Sequence, residues 1–280
     1  MLTDAAEAPS TKAITKQDVS LFEVFAADSG AFRRTIFTYV DFDHRAWAGE
    51  ALGIRKYNLA DQDIRLNIRQ IPDDDVFPKL VAVEDATLLS QHADAPELFL
   101  KRPQIHCLLE EFGGSIVPQM LLEEVHIMEF LARHPHPNIV PYHGCVVRRG
   151  YITGIALTRY QKILDHRFHT DTSGLDLNRF EQKLRDAISH IHALGLAHND
   201  LNPTNIALDS NDDPIVIDWG SCKDFGELLL SAGTPGWIED DFDVSKKEHD
   251  LFAIGKIMAW MREEQAKLTG GIEMARDRRY

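Results

Sequence analysis

The stretch from His198 to Asp218, HNDLNPTNIALDSNDDPIVID, constrains the fold more than any other part of the chain. Two short apolar runs, NIALD and PIVID, flank the turn sequence SNDD, which is the pattern of a buried hairpin. A hairpin returns its far end to the neighbourhood of its start, so Asp218 comes back towards Asp200 and Asn205. Three oxygen-bearing side chains can then converge, two able to hold a hard divalent cation and the third left to accept a proton. Taken singly, Asp200 and Asn205 also fit as loop caps, as Asp and Asn often do.

Two helices are well punctuated. In LDLNRFEQKLRDAISHIHALG the apolar positions Phe180, Leu184, Ile188 and Ile191 repeat at helical spacing and Gly195 marks a stop. In GGSIVPQMLLEEVHIMEFLARHPHPNIV, Pro118 suits a first helical turn and Pro135 follows the last apolar position. Leu121, Val125, Met128 and Ala132 are expected to line one face. Glu124 lies one turn from both Leu121 and Met128, so a carboxylate at the margin of a buried stripe wants a cationic partner. VFPKLVAV and ELFLKRP read as strands, PYHGCVVRRGYITGIALTRY as two strands around an RRG turn, and His249 to Glu264 as a last helix. The first 75 residues have no periodicity that settles helix against strand.

Composition narrows the partners. A formal charge of -14 argues against sequence-independent nucleic-acid binding, which needs Lys and Arg to neutralise phosphates. No apolar run approaches the ~20 residues that span a bilayer. The N-terminus lacks a basic stretch followed by an apolar one and reads as a tail, not a signal, so an intracellular chain, cytoplasmic or nuclear, is expected. Cys107, Cys145 and Cys222 are isolated and fit reduced thiols. Of the thirteen His residues, none pairs at convincing ligand spacing, and His190 and His192 point to nearly opposite sides of their helix.

HNDLNPTN followed by VIDWG resembles the catalytic loop and metal-binding turn of the eukaryotic protein-kinase superfamily. The resemblance runs from about Val76 to Met261 and includes HPNIV, GTPGW and DLFAIG in order; FLKRP and GTPGWIED resemble divergent kinase-like proteins of fungi. It implies an α+β, two-lobed protein-kinase-like fold with a small β-rich N-lobe and a truncated helical C-lobe. The expected organisation is a flexible tail over 1–20, an accessory region over 21–75, a kinase-like domain over 76–265 with its lobes meeting near 157, and a charged tail over 266–280. By position, the resemblance makes Lys101 the lysine that holds the phosphates of ATP and Glu124 its helix partner, with Glu123 as runner-up. It makes Asp200 the residue that orients and deprotonates an acceptor hydroxyl, and Asn205 and Asp218 the ligands of Mg2+. Phe99, Leu157, Ala207 and Asn202 would line the nucleotide. Tyr142, Met128, His198 and Trp219 occupy the positions of the side-chain spine joining the lobes, with Asp250 as its anchor.

The departures are as informative. No glycine occurs between Gly53 and Gly113, so the Gly-rich loop that lets backbone approach a pyrophosphate is missing ahead of Lys101. Asn202 stands where the family carries a lysine and Asn199 where it carries an arginine, which disfavours docking of a phosphorylated loop. Phe99 replaces a small roof residue over the base and Ala207 a larger floor residue, either an exchange of volumes or an occlusion. The expected function is ATP- and Mg2+-dependent transfer of the γ-phosphoryl group to a Ser or Thr hydroxyl of a protein. Alternatives are a pseudokinase acting as a binding module and a small-molecule phosphotransferase.

Overall fold

A computed structural model describes residues 14–26, 28–90, 92–109, 116–170, 173–231 and 233–277. The chain forms two compact units: Met1–Ala82 with Arg102–Leu121 and Val147–Thr153, and Val83–Lys101 with Leu122–Val146 and Gly154–Tyr280.

The first unit is built on an antiparallel sheet of β1 (Ser20–Phe25), β2 (Phe32–Val40), β3 (Ala46–Leu52) and β4 (Arg69–Gln70), in that order. Its pleat explains why no periodicity was legible. Phe37, Trp47 and Ala51 pack on one side with Leu59, Ile64 and Ile68, while Ala46 and Ala48 face Val76, Phe77, Ile105 and Val117 on the other. A sheet covered on both faces loses the alternation of apolar and polar residues. Gly49 is obligatory there, since a Cβ would lie 2.4 Å from the Phe37 ring and 2.6 Å from the Asn67 carbonyl. Helix α1 (Asp61–Asn67) is opened by Asp63, whose carboxylate accepts from Ala60 N at 2.9 Å. The tail expected over 1–20 falls outside the described residues up to residue 13, whereas Ile14 and Val19 pack on the first core.

VFPKLVAV is not a strand. Val76 ends the short helix α2 (Asp73–Val76), Leu80–Ala82 form a 3-10 turn, and Val81 is 89% exposed. Pro78 has no N–H to give to a ladder, and only Lys79 makes an isolated bridge, to Tyr151.

In the second unit, β5 (Leu98–Lys101) pairs antiparallel with β7 (Tyr151–Thr158), which also neighbours β6 (Tyr142–Arg148). The β6–β7 turn has positive φ at both Arg149 and Gly150, the geometry that RRG foretells. Helix α3 (Ile116–Arg133) buries Leu121, Val125, Met128 and Leu131. Ala132 is exposed, contrary to expectation, because the stripe advances by three at its end and brings Leu131 inward. The strand β8 (Lys162–Ile163) leads into α4 (Leu164–Thr170) and then α5 (Leu177–Ala193), whose N-cap Asp176 accepts from Arg179 N at 3.1 Å. Phe180, Leu184, Ile188 and Ile191 are all buried. β9 (Leu196–Ala197) pairs with β12 (Lys223–Asp224), and the hairpin β10 (Ile206–Leu208) with β11 (Pro214–Val216) forms as its sequence requires. The last helix, α6 (Lys247–Asp277), is longer than expected: the charged residues after 265 continue it, since Ala, Lys, Glu, Met and Arg are strong helix formers.

Candidate active site

The hairpin performs the return that its sequence implies. The Ile217 N–H donates to the Asn205 carbonyl at 3.0 Å, which sets Asp218 beside the loop that carries Asp200. Asp218 takes a left-handed φ of 61° and Asn199 one of 62°. Asp and Asn tolerate this region better than other residues with a Cβ.

Lys101 lies between two carboxylates. Its Nζ is 2.6 Å from Glu124 Oε1 and 2.8 Å from Asp218 Oδ1. This is the partner that the half-apolar position of Glu124 demands; Glu123 instead pairs with Lys223 at 2.8 Å. Burial alone would lower Lys101, but Glu124 and Asp218 outweigh it and hold the ammonium above the usual lysine range. Burial pushes Glu124 above the usual carboxylate range against the pull of Lys101. Burial likewise works to raise Asp218, yet Lys101 prevails and keeps it below that range.

Asp200 is fixed by its own loop and by the segment after β12. Oδ1 accepts from Thr234 N at 2.7 Å and Thr234 Oγ1 at 2.8 Å, and Oδ2 from Asn205 Nδ2 at 3.0 Å. Thr234 belongs to the GTPGW motif, but its hydrogen bonds to Asp200 are visible only in the fold. Gly233 permits its approach: a Cβ there would meet Ile238 Cγ2 at 2.5 Å and the Asn199 carbonyl at 3.0 Å. Asp250, wholly buried, accepts from His198 N and Asn199 N, both at 2.9 Å, and so anchors the loop from α6. Asn199 takes over a structural task, its Nδ2 donating to Ala197 O, Ser221 O and Ser245 Oγ. Asn202 is equally occupied, accepting from Thr204 N at 2.9 Å and donating to Asp200 and Thr234.

Phe99 shares the strand face of Lys101 and remains 45% exposed, with the Arg159 guanidinium 5.9 Å from its ring. Leu157 and Ala207 are sealed at 3% and 0% exposure. Of the spine positions, Met128, His198 and Trp219 are buried, and the His198 and Trp219 rings meet edge-on at 4.9 Å.

The donor set suits a hard cation. Asp218 is held ionised with its side chain 41% exposed, and among the described residues no donor takes Asn205 Oδ1. Mg2+ is bound by one or two such protein oxygens together with substrate phosphates, not by a closed protein cage. No group of three or more His, Cys, Asp or Glu that could hold a metal occurs among the described residues. No described helix is long and apolar enough to cross a membrane.

A lysine clasped by two acids, and a carboxylate locked to an amide five residues on, are the arrangement that a kinase-type fold provides. The protein kinase domain profile matches residues 109–275, and the chain belongs to that family. It is similar to a probable myosin light chain kinase of Dictyostelium discoideum, 28% identical over 154 residues, 50% of this chain and 47% of the relative. A dual serine/threonine and tyrosine protein kinase of Gallus gallus is 27% identical over 192 residues, 59% and 20% of the two chains. Calcium/calmodulin-dependent protein kinase type 1 of Macrobrachium nipponense is 29% identical over 142 residues, 45% and 40%. The chain thus spans less than half the length of these relatives.

Proposed function

We propose that the chain binds ATP with Mg2+ and transfers the γ-phosphoryl group to a Ser or Thr hydroxyl of a protein. The observation that carries this reading is the clasp of Lys101 between Glu124 and Asp218 at 2.6 and 2.8 Å, which holds an ammonium on a side chain 14% exposed ready for phosphate oxygens. Asn205 and Asp218 would hold Mg2+, which supplies charge neutralisation on the phosphates. Asp200 orients the acceptor hydroxyl and takes its proton as the hydroxyl oxygen bonds to the γ-phosphorus. The bond from that phosphorus to the β–γ bridging oxygen breaks, and ADP leaves. Catalysis of this kind is mainly positioning and electrostatics, which the hydrogen bonds of Asp200 to Asn205 and Thr234 supply.

The second reading, a pseudokinase acting as a nucleotide- or protein-binding module, is supported by Asn202, whose amide is employed inside the loop where a cation would meet the γ-phosphate. ATP turnover and the Mg-ATP thermal shift of wild type and Asp218→Asn decide between them. Turnover in the wild type that Asp218→Asn abolishes supports the enzyme. A shift without turnover supports the binding module, and neither in the wild type overturns the nucleotide assignment.

A further inference from the structure

The segment that stands where a Gly-rich loop is missing is bound tightly to the rest of its unit, and Thr87 is the point of attachment. Its N–H donates to Glu129 Oε1 at 2.7 Å and its hydroxyl to Glu129 Oε2 at 2.9 Å. Its carbonyl accepts from Cys145 N at 2.7 Å, and Leu89 N donates to the Cys145 carbonyl at 2.9 Å. The segment therefore runs as a short parallel bridge along β6. It lies so close that a Cβ on Gly144, whose φ is +122°, would be 2.8 Å from backbone atoms of Thr87, Leu88 and Leu89. Tyr142 adds a third donor to Glu129, at 2.9 Å. Glu129 is 8% exposed, so these donors compensate a carboxylate withdrawn from water.

Glu129 lies on α3, five residues after Glu124. Five residues turn an α-helix through about 140° beyond a full circle, so the two carboxylates leave the helix on different sides. Glu124 is tied to Lys101 Nζ and to Trp219 N at 3.3 Å. Glu123 adds a tie to Lys223 at 2.8 Å and the buried stripe through Val125 and Met128 seats the helix; the Thr87 clamp adds a tie on a further side that resists rotation about those contacts.

We propose that Thr87 and Glu129 are positioning residues that lock α3 in the orientation where Glu124 meets Lys101, so that the segment serves as a fixed strap and not as a flap over phosphates. A helix pinned in this way keeps the Lys101–Glu124 pair assembled without a loop-borne switch. The consequence for nucleotide rests on the proposed function, whereas the consequence for α3 does not.

Hydrogen exchange on the full chain without nucleotide tests the second point. Thr87→Val removes the hydroxyl and Glu129→Ala the whole clamp; amides of residues 122–128 then exchange about 10-fold and about 100-fold or more faster, the sizes expected for bonds to a charged acceptor, and Thr87→Ser matches wild type. Affinity for Mg-ATP falls in the same order, and in a Glu124→Gln background Thr87→Val produces no further loss, since both act through one pair. Wild-type exchange over 122–128 in Thr87→Val and Glu129→Ala, with only residues 84–90 loosened, overturns the proposal. Absence of a Mg-ATP response in the wild type overturns the proposed function instead, and the exchange data still decide the role of Thr87 and Glu129.

Discussion

Replacing the largest fully buried side chain among the described residues should cost almost nothing. Trp219 is 0% exposed, and its indole Nε1 meets no acceptor among the described residues. A buried donor left unpaired costs about 1–3 kcal/mol. Trp219→Phe removes that donor and keeps a ring to pack edge-on against His198. Against this stand about 40 Å3 of lost volume, on the order of 1 kcal/mol at ~24 cal/mol per Å3 of residual cavity, and about 1 kcal/mol of lost transfer energy. The terms nearly cancel, so the stability change is expected within about 1 kcal/mol of zero. Trp219→Leu also removes the donor but leaves a larger void and loses the ring contact, and is expected to cost about 2–4 kcal/mol. Urea denaturation followed by far-UV circular dichroism measures both. A loss of about 3 kcal/mol or more in Trp219→Phe would show instead that the indole N–H has a good partner.

Gly144→Ala combines a forbidden φ with contacts of 2.8 Å to backbone, and is expected to destabilise by about 3 kcal/mol or more in the same denaturation assay. Burial, aided by Arg102, Arg148 and Arg149, lowers His44 from 6.5 to about 4. The folded state therefore binds fewer protons than the unfolded one between these values. The contribution of His44 is full above pH 6.5 and is lost as pH falls towards 4, by about 3 kcal/mol at most. His44→Asn, which tolerates the φ of 60° there, should flatten that part of the stability–pH curve. Asp250→Ala leaves the buried amides of His198 and Asn199 without their acceptor; a loss of about 2–5 kcal/mol in urea midpoint experiments is expected.

Local pattern sufficed wherever a structural rule acts over a few residues. The β10–β11 hairpin, the RRG turn, the Gly195 stop and the helical stripe through Leu121 and Met128 are all readable, because turn chemistry and a 3.6-residue period are local properties. The pairing of Glu124 with a cation was also foreshadowed, since a carboxylate beside an apolar stripe cannot be buried alone. The N-terminal sheet was not readable: its strands are covered on both faces, which erases alternation, and VFPKLVAV looked like a strand although Pro78 limits its pairing to a single bridge, from Lys79 to Tyr151. Nor could spacing reveal that Thr234 holds Asp200, that Asn199 is spent on Ser221 and Ser245 and Asn202 on Thr234, or that Thr87 ties a glycine-free strap to Glu129. Each of these depends on a hydrogen bond between segments 22 to 47 residues apart. A one-dimensional pattern records which groups need partners, while only the closed chain decides which distant group supplies each one.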